Sequence, residues 1–190
     1  MKALSALLIA AASSSAIAAP ETYPLDPNHT FPSFEFPHMG ISVWRGKFDR
    51  SSGTVVIDRA AKTGTVEVKI DVASIDFGLK AMDDKAKSED FFNVAKYPTA
   101  TYTGKLVFDG ETLKAVDGTF TLMGVAKPVK LTVNSFKCIP HPLNAKQQLC
   151  GADAEGEVIW GEFGMKSSQW GQGDAGRTKL RIQVEGTRKD

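Results

Sequence analysis

Thr65-Val-Glu-Val-Lys-Ile-Asp-Val72 is the stretch that decides the fold, because its apolar and charged residues alternate without a break after the first position. Successive side chains of a strand point to opposite faces, so this pattern predicts a β-strand with one buried face and one face in water. The same alternation returns near the C-terminus, where polar residues separate Leu180, Ile182 and Val184. Strands of this kind are typical of antiparallel sheets.

Further strand-like segments fill most of the remaining chain. Short links with turn residues, such as Ser51-Ser-Gly53 and Asp109-Gly110, join them at hairpin length. We expect Gly118 to mark a bulge, and Tyr23 to belong to a short extended arm. About eight strands connected in this way predict an all-β antiparallel fold, either a closed barrel or a two-sheet sandwich, which alternation alone does not separate.

Residues 72–102 interrupt this series with a helical pattern. Residues 79–93 are predicted to be helical, with Ser88 as the N-cap of the last turn because two acidic residues follow it. Phe91 and Phe92 are adjacent, and neighbouring side chains on a helix point about 100° apart, so something besides their own helix must cover them. We predict that this short helical insert closes one end of the β-structure.

The first eighteen residues have the pattern of a cleaved signal peptide. Lys2 precedes an apolar run, and Ala16-Ile-Ala18 fits a cleavage site. The run is shorter than the ~20 residues of a membrane span, so residues 19–190 are predicted to form one exported, periplasmic domain. Loss of Lys2 leaves 22 basic and 22 acidic residues. This balance argues against nucleic acid or an anionic membrane surface as the main partner.

Cys138 and Cys150 are the two cysteines of the chain. Their number and an exported location predict a disulfide. The segment between them contains Pro140 and Pro142, and we expect it to be an irregular loop. Its length does not match a redox or zinc motif.

Few residues are arranged for catalysis or cofactor binding. The three histidines are scattered, and a G-x-G-x-x-G pattern at residues 171–176 precedes a strand, whereas the dinucleotide motif follows one. Acidic residues of the insert could serve a hydrolase acting on a lipid or glycan, but neighbouring lysines favour a solvated charged face. These residues are Asp83, Asp84, Glu89 and Asp90. We expect no cofactor and no enzymatic activity.

Six stretches, in series between residues 23 and 185, are similar to one known family. They are Leu25-Asp-Pro-Asn-His-Thr30, His38-Met-Gly-Ile-Ser-Val-Trp-Arg-Gly-Lys-Phe48, Ala73-Ser-Ile-Asp76, Ser88-Glu-Asp-Phe-Phe92, Lys96-Tyr-Pro-Thr99 and Gly124-Val-Ala-Lys-Pro-Val129. Together they resemble the YceI-like family of exported, lipocalin-like barrels associated with polyisoprenoid binding. The resemblance implies an elongated barrel whose apolar channel holds a quinone, polyprenyl lipid or similar amphiphile for transport, storage or sequestration.

The aromatic residues and the matching motifs indicate where such a channel would lie. Ordinary core packing explains most of the aromatic set, and the remainder could line a cavity. The predicted wall residues are Phe34, Phe36, Val43, Phe91, Phe92, Phe120 and Trp160. The predicted polar residues of the mouth are His38, Arg45, Asp90 and Asn93. Three further partners stay open. They are a membrane cytochrome that receives a quinone from this protein, a membrane surface, and a second copy of the chain.

Overall fold

The computed structural model describes residues 19–167 and 171–189, so the predicted signal peptide lies outside the described residues. These two ranges contain one α-helix, α1, at Lys80–Lys87. The strands are β1 Glu21–Pro24, β2 Phe31–His38, β3 Ser42–Phe48, β4 Ser51–Asp58, β5 Thr63–Asp71, β6 Ile75–Asp76, β7 Thr99–Asp109, β8 Thr112–Leu122, β9 Val125–His141, β10 Asn144–Ile159 and β11 Arg177–Thr187. Within these ranges, no helix is both long and apolar enough to cross a bilayer.

All the strands belong to one antiparallel sheet, in the order β1, β4, β5, β7, β8, β9, β10, β11, β2, β3, β6. The sheet curls until its first strand meets β11. Leu25, which directly follows β1, forms a bridge with Gly186. The Asp26 N–H donates to the carbonyl oxygen of Glu185 over 2.9 Å. The predicted lipocalin-like barrel is therefore confirmed, and the two-sheet sandwich is not formed.

The eleven strands of the described ranges exceed the predicted number of about eight because the extended arm and a two-residue segment also pair into the sheet. A turn separates β1 from β2, and its Asn28 N–H donates to the Asp26 carboxylate over 2.8 Å. The predicted link at residues 51–53 is wrong, because these residues begin β4, and a bend at Asp49 and Arg50 separates β3 from β4. The predicted extended arm around Tyr23 is β1 itself, paired with β4. The remaining addition is the two-residue strand β6, which pairs with β3.

The predicted loop between the cysteines is wrong, whereas their disulfide is confirmed. Strands β9 and β10 run through this segment, and Cys138 lies directly opposite Cys150. Proline has no backbone N–H to donate to a neighbouring strand. Pro140 is tolerated in β9 because the pairing of β9 with β8 ends at Thr132, which leaves that side of β9 without a neighbouring strand at Pro140. The disulfide thus joins two neighbouring strands near the end of a long hairpin.

The helical insert is present, but the predicted role of Ser88 is wrong. Ser88 ends α1 instead of starting a turn, and both its N–H and its hydroxyl donate to the carbonyl oxygen of Lys85. The chain then tightens, with the Phe92 N–H donating to the Ala86 carbonyl oxygen over 3.0 Å. Asn93 has a φ of 45°, in the left-handed region. The helix therefore ends before the two phenylalanines.

Gly118 does not mark a bulge. It pairs in regular register with Gly104, and the irregularity between β7 and β8 lies at Val107. A Cβ at Gly118 would lie 2.4 Å from the Tyr102 ring. The Tyr102 hydroxyl lies 2.9 Å from the Val129 carbonyl oxygen, and burial raises the pKa of Tyr102. Because Gly118 has no side chain, it leaves the space that the buried Tyr102 ring occupies.

A polar cluster lies at the end of the barrel formed by β1, β4 and the far ends of β9 and β10. The Tyr23 hydroxyl lies 2.9 Å from Glu21 and 2.5 Å from Gln148 Oε1, and Arg59 Nε donates to Glu21 over 2.6 Å. Burial raises the pKa of Glu21, but hydrogen bonds from Arg59 and Tyr23 outweigh it and lower the pKa overall. Arg59 also lies 6.0 Å from the Phe136 ring centre.

Replacing both Cys138 and Cys150 by serine should lower the free energy of unfolding by about 2–3 kcal/mol, because the unfolded chain gains entropy without the cross-link. Urea denaturation of the oxidised wild type and the variant measures this difference. Reductant should bring the wild type to the midpoint of the variant and leave the variant unchanged. Equal midpoints for the oxidised wild type and the variant would contradict the expectation.

Gly118→Ala should cost about 2 kcal/mol of unfolding free energy, because the new methyl group displaces Tyr102 from its hydrogen bonds. Gly151→Ala is the matched control, since its nearest contact would be Glu185 Cγ at 3.4 Å. The control should stay within about 0.5 kcal/mol of the wild type. Thermal or urea unfolding of the two variants tests the pair, and similar losses for both would refute this account of Gly118.

Candidate ligand-binding cavity

A cavity of about 860 Å³ occupies the end of the barrel that the helical insert covers. One part of its wall comes from strands β2, β3, β8, β10 and β11. Another part comes from α1 and the turn that follows it. The 3-10 turn Trp160–Phe163 completes the wall. The larger wall residues are Phe34, Phe36, His38, Trp44, Phe48, Phe77, Met82, Phe91, Phe92, Phe120, Leu122, Val158, Trp160, Phe163, Met165 and Leu180.

A second cavity of about 160 Å³ continues deeper into the barrel. Four side chains line both cavities, namely Phe34, Phe48, Phe120 and Leu180. The two cavities therefore adjoin at these four residues, and together they are called the elongated void below. The deeper part is lined by Tyr23 and Cys150, next to the polar cluster of the opposite end.

The aromatic wall on β2 and β3 follows from strand alternation. Phe36 pairs with Trp44 across the two strands, so both side chains lie on the same face. Their ring centres are 6.0 Å apart, and Phe77 packs edge-on against Phe34 at 5.6 Å. A Cβ at Gly46 would lie 2.7 Å from the Phe34 ring, so the glycine leaves the space that this ring occupies.

The insert covers the cavity with both phenylalanines. Phe91 lies 6.3 Å from Trp160, and Phe92 lies 6.1 Å from Phe48. Ala86 of α1 is buried and faces the same space. The prediction that the insert closes one end of the β-structure agrees with this packing.

Few polar groups reach the wall. Among the described residues that line the larger cavity, Lys85 alone carries a formal charge, and its Nζ donates to Asp90 over 2.8 Å. This hydrogen bond lowers the pKa of Asp90. The His38 ring stacks on Trp44, with ring centres 3.9 Å apart. An apolar interior with His38 and Lys85 near its opening suits an amphiphile with a long hydrocarbon part.

Comparison with known proteins agrees with this architecture. Residues 23–186 match the family model of the YceI-like domain. The chain belongs to the YceI-like family. Protein YceI of Escherichia coli O157:H7 is 34% identical over 178 residues, which cover 92% of this chain and 90% of that protein. The resemblance found in the sequence is thus confirmed.

Solved structures of the YceI-like kind share the fold. The YceI protein of Campylobacter jejuni superposes with a TM-score of 0.64 at 26% identity, covering 82% of this chain and 91% of that one. A polyisoprenoid binding domain from Saccharophagus degradans, implicated in plant cell wall breakdown, gives a TM-score of 0.57 at 16% identity. It covers 86% of this chain and 97% of that domain, and at this identity the likeness concerns the fold alone.

The structure of this YceI-like protein brings seven of the predicted site residues to the cavity wall. They are Phe34, Phe36, His38, Phe91, Phe92, Phe120 and Trp160. The other four lie off the wall. Val43, a predicted wall residue, is 47% exposed because its neighbour Trp44 faces inward. Arg45 points outward for the same reason, with a side chain 71% exposed and paired with Glu35.

Two of the predicted mouth residues belong to the turn after α1. Asp90 is exposed and reaches the wall only through Lys85. Asn93 has its backbone in the turn that ends the insert, where its carbonyl oxygen accepts the N–H groups of Lys96 and Tyr97. Asn93 therefore shapes the insert, and its side chain is not part of the cavity wall.

Several wall residues were not among the predicted ones. Trp44 and Phe48 share one face of β3, and the pairing of Trp44 with Phe36 turns that face inward, which the sequence alone does not show. Met82 and Lys85 are three positions apart on α1 and so share one helix face. Phe77 had no such signal, since it follows the two-residue strand β6 and precedes a glycine with positive φ.

The acidic residues of the insert do not meet at the cavity. Asp83 accepts the Phe77 N–H over 2.8 Å, and Asp84 pairs with Lys80. Glu89 pairs with Lys166. Asp83, Asp84, Glu89 and Asp90 are all absent from the wall. Over residues 19–167 and 171–189, no group of three or more His, Cys, Asp or Glu side chains is arranged to hold a metal ion.

Proposed function

We propose that this YceI-like protein binds one long isoprenoid-type amphiphile, with its tail in the elongated void and its head group at the mouth. The observation that carries the proposal is the void itself, because two adjoining apolar cavities extend from the insert toward the opposite end of the barrel. The similar fold of a polyisoprenoid binding domain supports the same ligand class. Transport, storage or sequestration of a quinone or polyprenyl lipid is the role we infer.

Burial of the tail supplies most of the binding free energy. An isoprene unit of about five carbons contributes roughly 4 kcal/mol gross at about 0.8 kcal/mol per carbon. Association costs roughly 4–15 kcal/mol, so a few units offset it. A hydrogen bond to the head group adds only about 1 kcal/mol net. Tail length should therefore set the affinity, while His38 and Lys85 select among head groups that accept hydrogen bonds.

An exported, non-catalytic protein fits the remaining observations. The disulfide between Cys138 and Cys150 suits an oxidising compartment, and the leader pattern of residues 1–18 suits the periplasm. The carboxylates of the insert lie off the cavity wall, which supports a binding protein over a hydrolase. Presentation of a quinone to a membrane cytochrome and formation of a homodimer stay predictions.

Ala86→Trp should abolish binding of a long isoprenoid, because the indole ring would extend into the space that the tail needs. Isothermal titration calorimetry with a long isoprenoid alcohol in dilute detergent measures the loss, which we expect to be at least tenfold in Kd. Mass spectrometry of organic extracts from the purified proteins shows whether each carries a lipid from its host.

Ala126→Trp is the matched control, since Ala126 is exposed on β9 and absent from the wall. It should bind the isoprenoid as the wild type does. A wild type that yields neither an extracted lipid nor a calorimetric response refutes the proposed function. Equal binding by Ala86→Trp and the wild type would show that the tail does not occupy this cavity.

A further inference from the structure

Exposed apolar side chains gather at the mouth of the cavity. Met39 and Ile41, in the turn between β2 and β3, are 81% and 82% exposed. Leu79, directly before α1, is exposed as well. Two further large apolar residues, Ile139 and Leu143, are exposed at the end of the β9–β10 hairpin. The strand register puts that hairpin at the opposite end of the barrel.

The turn between β2 and β3 forms part of the rim itself. Met39 and Gly40 are exposed and also line the cavity. Ala81 and Met82, at the start of α1, line it from the insert. Side chains exposed to solvent at these positions therefore adjoin the apolar interior directly. A ligand tail that leaves the cavity here passes along the exposed turn.

Among the described residues, the rim formed by the β2–β3 turn and the start of α1 carries few unpaired charges. The sequence from Phe36 to Trp44 contains no Asp, Glu, Lys or Arg. On the insert, Lys80 pairs with Asp84, and Lys85 pairs with Asp90. Such a surface is suited to hydrocarbon and not to a charged partner.

Folding of the hairpin does not account for Met39. Its φ is 54°, and the next residue, Gly40, has a φ of 73°. Asn and Gly adopt this left-handed conformation readily, whereas a methionine does so at a cost. The Met39 side chain is almost fully exposed, so packing within the protein does not offset this conformational cost. An apolar contact between Met39 and another molecule would offset this cost.

We propose that the β2–β3 turn and Leu79 insert into a lipid bilayer, so that the mouth of the cavity opens onto the hydrocarbon phase. This inference rests on the proposed function, because a water-insoluble tail then moves between bilayer and cavity without crossing water. The interaction comes from burial of apolar side chains, so it is independent of salt and of anionic lipids. Each inserted side chain should strengthen binding roughly ten- to a hundredfold.

Vesicle flotation with neutral phosphatidylcholine vesicles tests the inference on the chain from residue 19 onward. The test variant combines Ile41→Ser with Leu79→Ser, since neither residue lines the cavity. We expect its partition coefficient to fall at least tenfold, and its rate of extracting a long isoprenoid from the vesicles to fall in parallel. Leu143→Ser is the matched control, because Leu143 is 93% exposed at the opposite end and should not matter.

Farnesol, a short isoprenoid alcohol added from buffer, separates this inference from the proposed function. If both the wild type and the double variant bind farnesol and only the wild type binds vesicles, the inference is supported. If the wild type binds farnesol but not vesicles, the inference is overturned and the proposed function stands. Failure to bind farnesol or any long isoprenoid counts against the proposed function, whatever the vesicles show.

Two further outcomes overturn the inference. Binding that requires anionic lipid and disappears with added salt would make the contact electrostatic. A wild type that sediments as a dimer, with the double variant monomeric, would identify the rim as an interface between copies of this chain.

Discussion

Closure of a single sheet is the constraint on which the rest of the structure depends. The bridge between Leu25, at the end of β1, and Gly186, in β11, closes the sheet. The inward faces of the strands therefore surround one shared interior. A sandwich would fill that interior by pressing two sheets together. Here aromatic side chains line the space instead of filling it, and the helical insert covers the end where the space is widest.

The two ends of the barrel differ in the polarity of their side chains. At one end, Tyr23, Glu21, Arg59 and Gln148 satisfy one another's hydrogen bonds, which is the condition for keeping polar groups partly out of water. The opposite end has aromatic walls and one paired lysine, Lys85. A molecule held in such a space would therefore meet different groups at its two ends.

Alternation in the sequence predicts most strands, since period two is a local property of the chain, and Phe34 and Phe36 both line the cavity. Alternation does not reveal which face of β3 points inward, because that depends on pairing with β2, and Val43 and Arg45 lie off the wall. The prolines between the cysteines predict a loop, since prolines usually break strands. The regular structure of this segment depends on the pairing of β9 with β8 stopping at Thr132, which only the assembled sheet decides.

The position of the disulfide has a consequence for the alignment of the hairpin. Shifting β9 against β10 by one residue would turn Cys138 to the other face of the sheet, away from Cys150. Within a formed hairpin, the two thiols therefore meet in the native alignment and not in one shifted by a single residue. Once the disulfide has formed, it holds the two strands in that alignment and prevents such a slip.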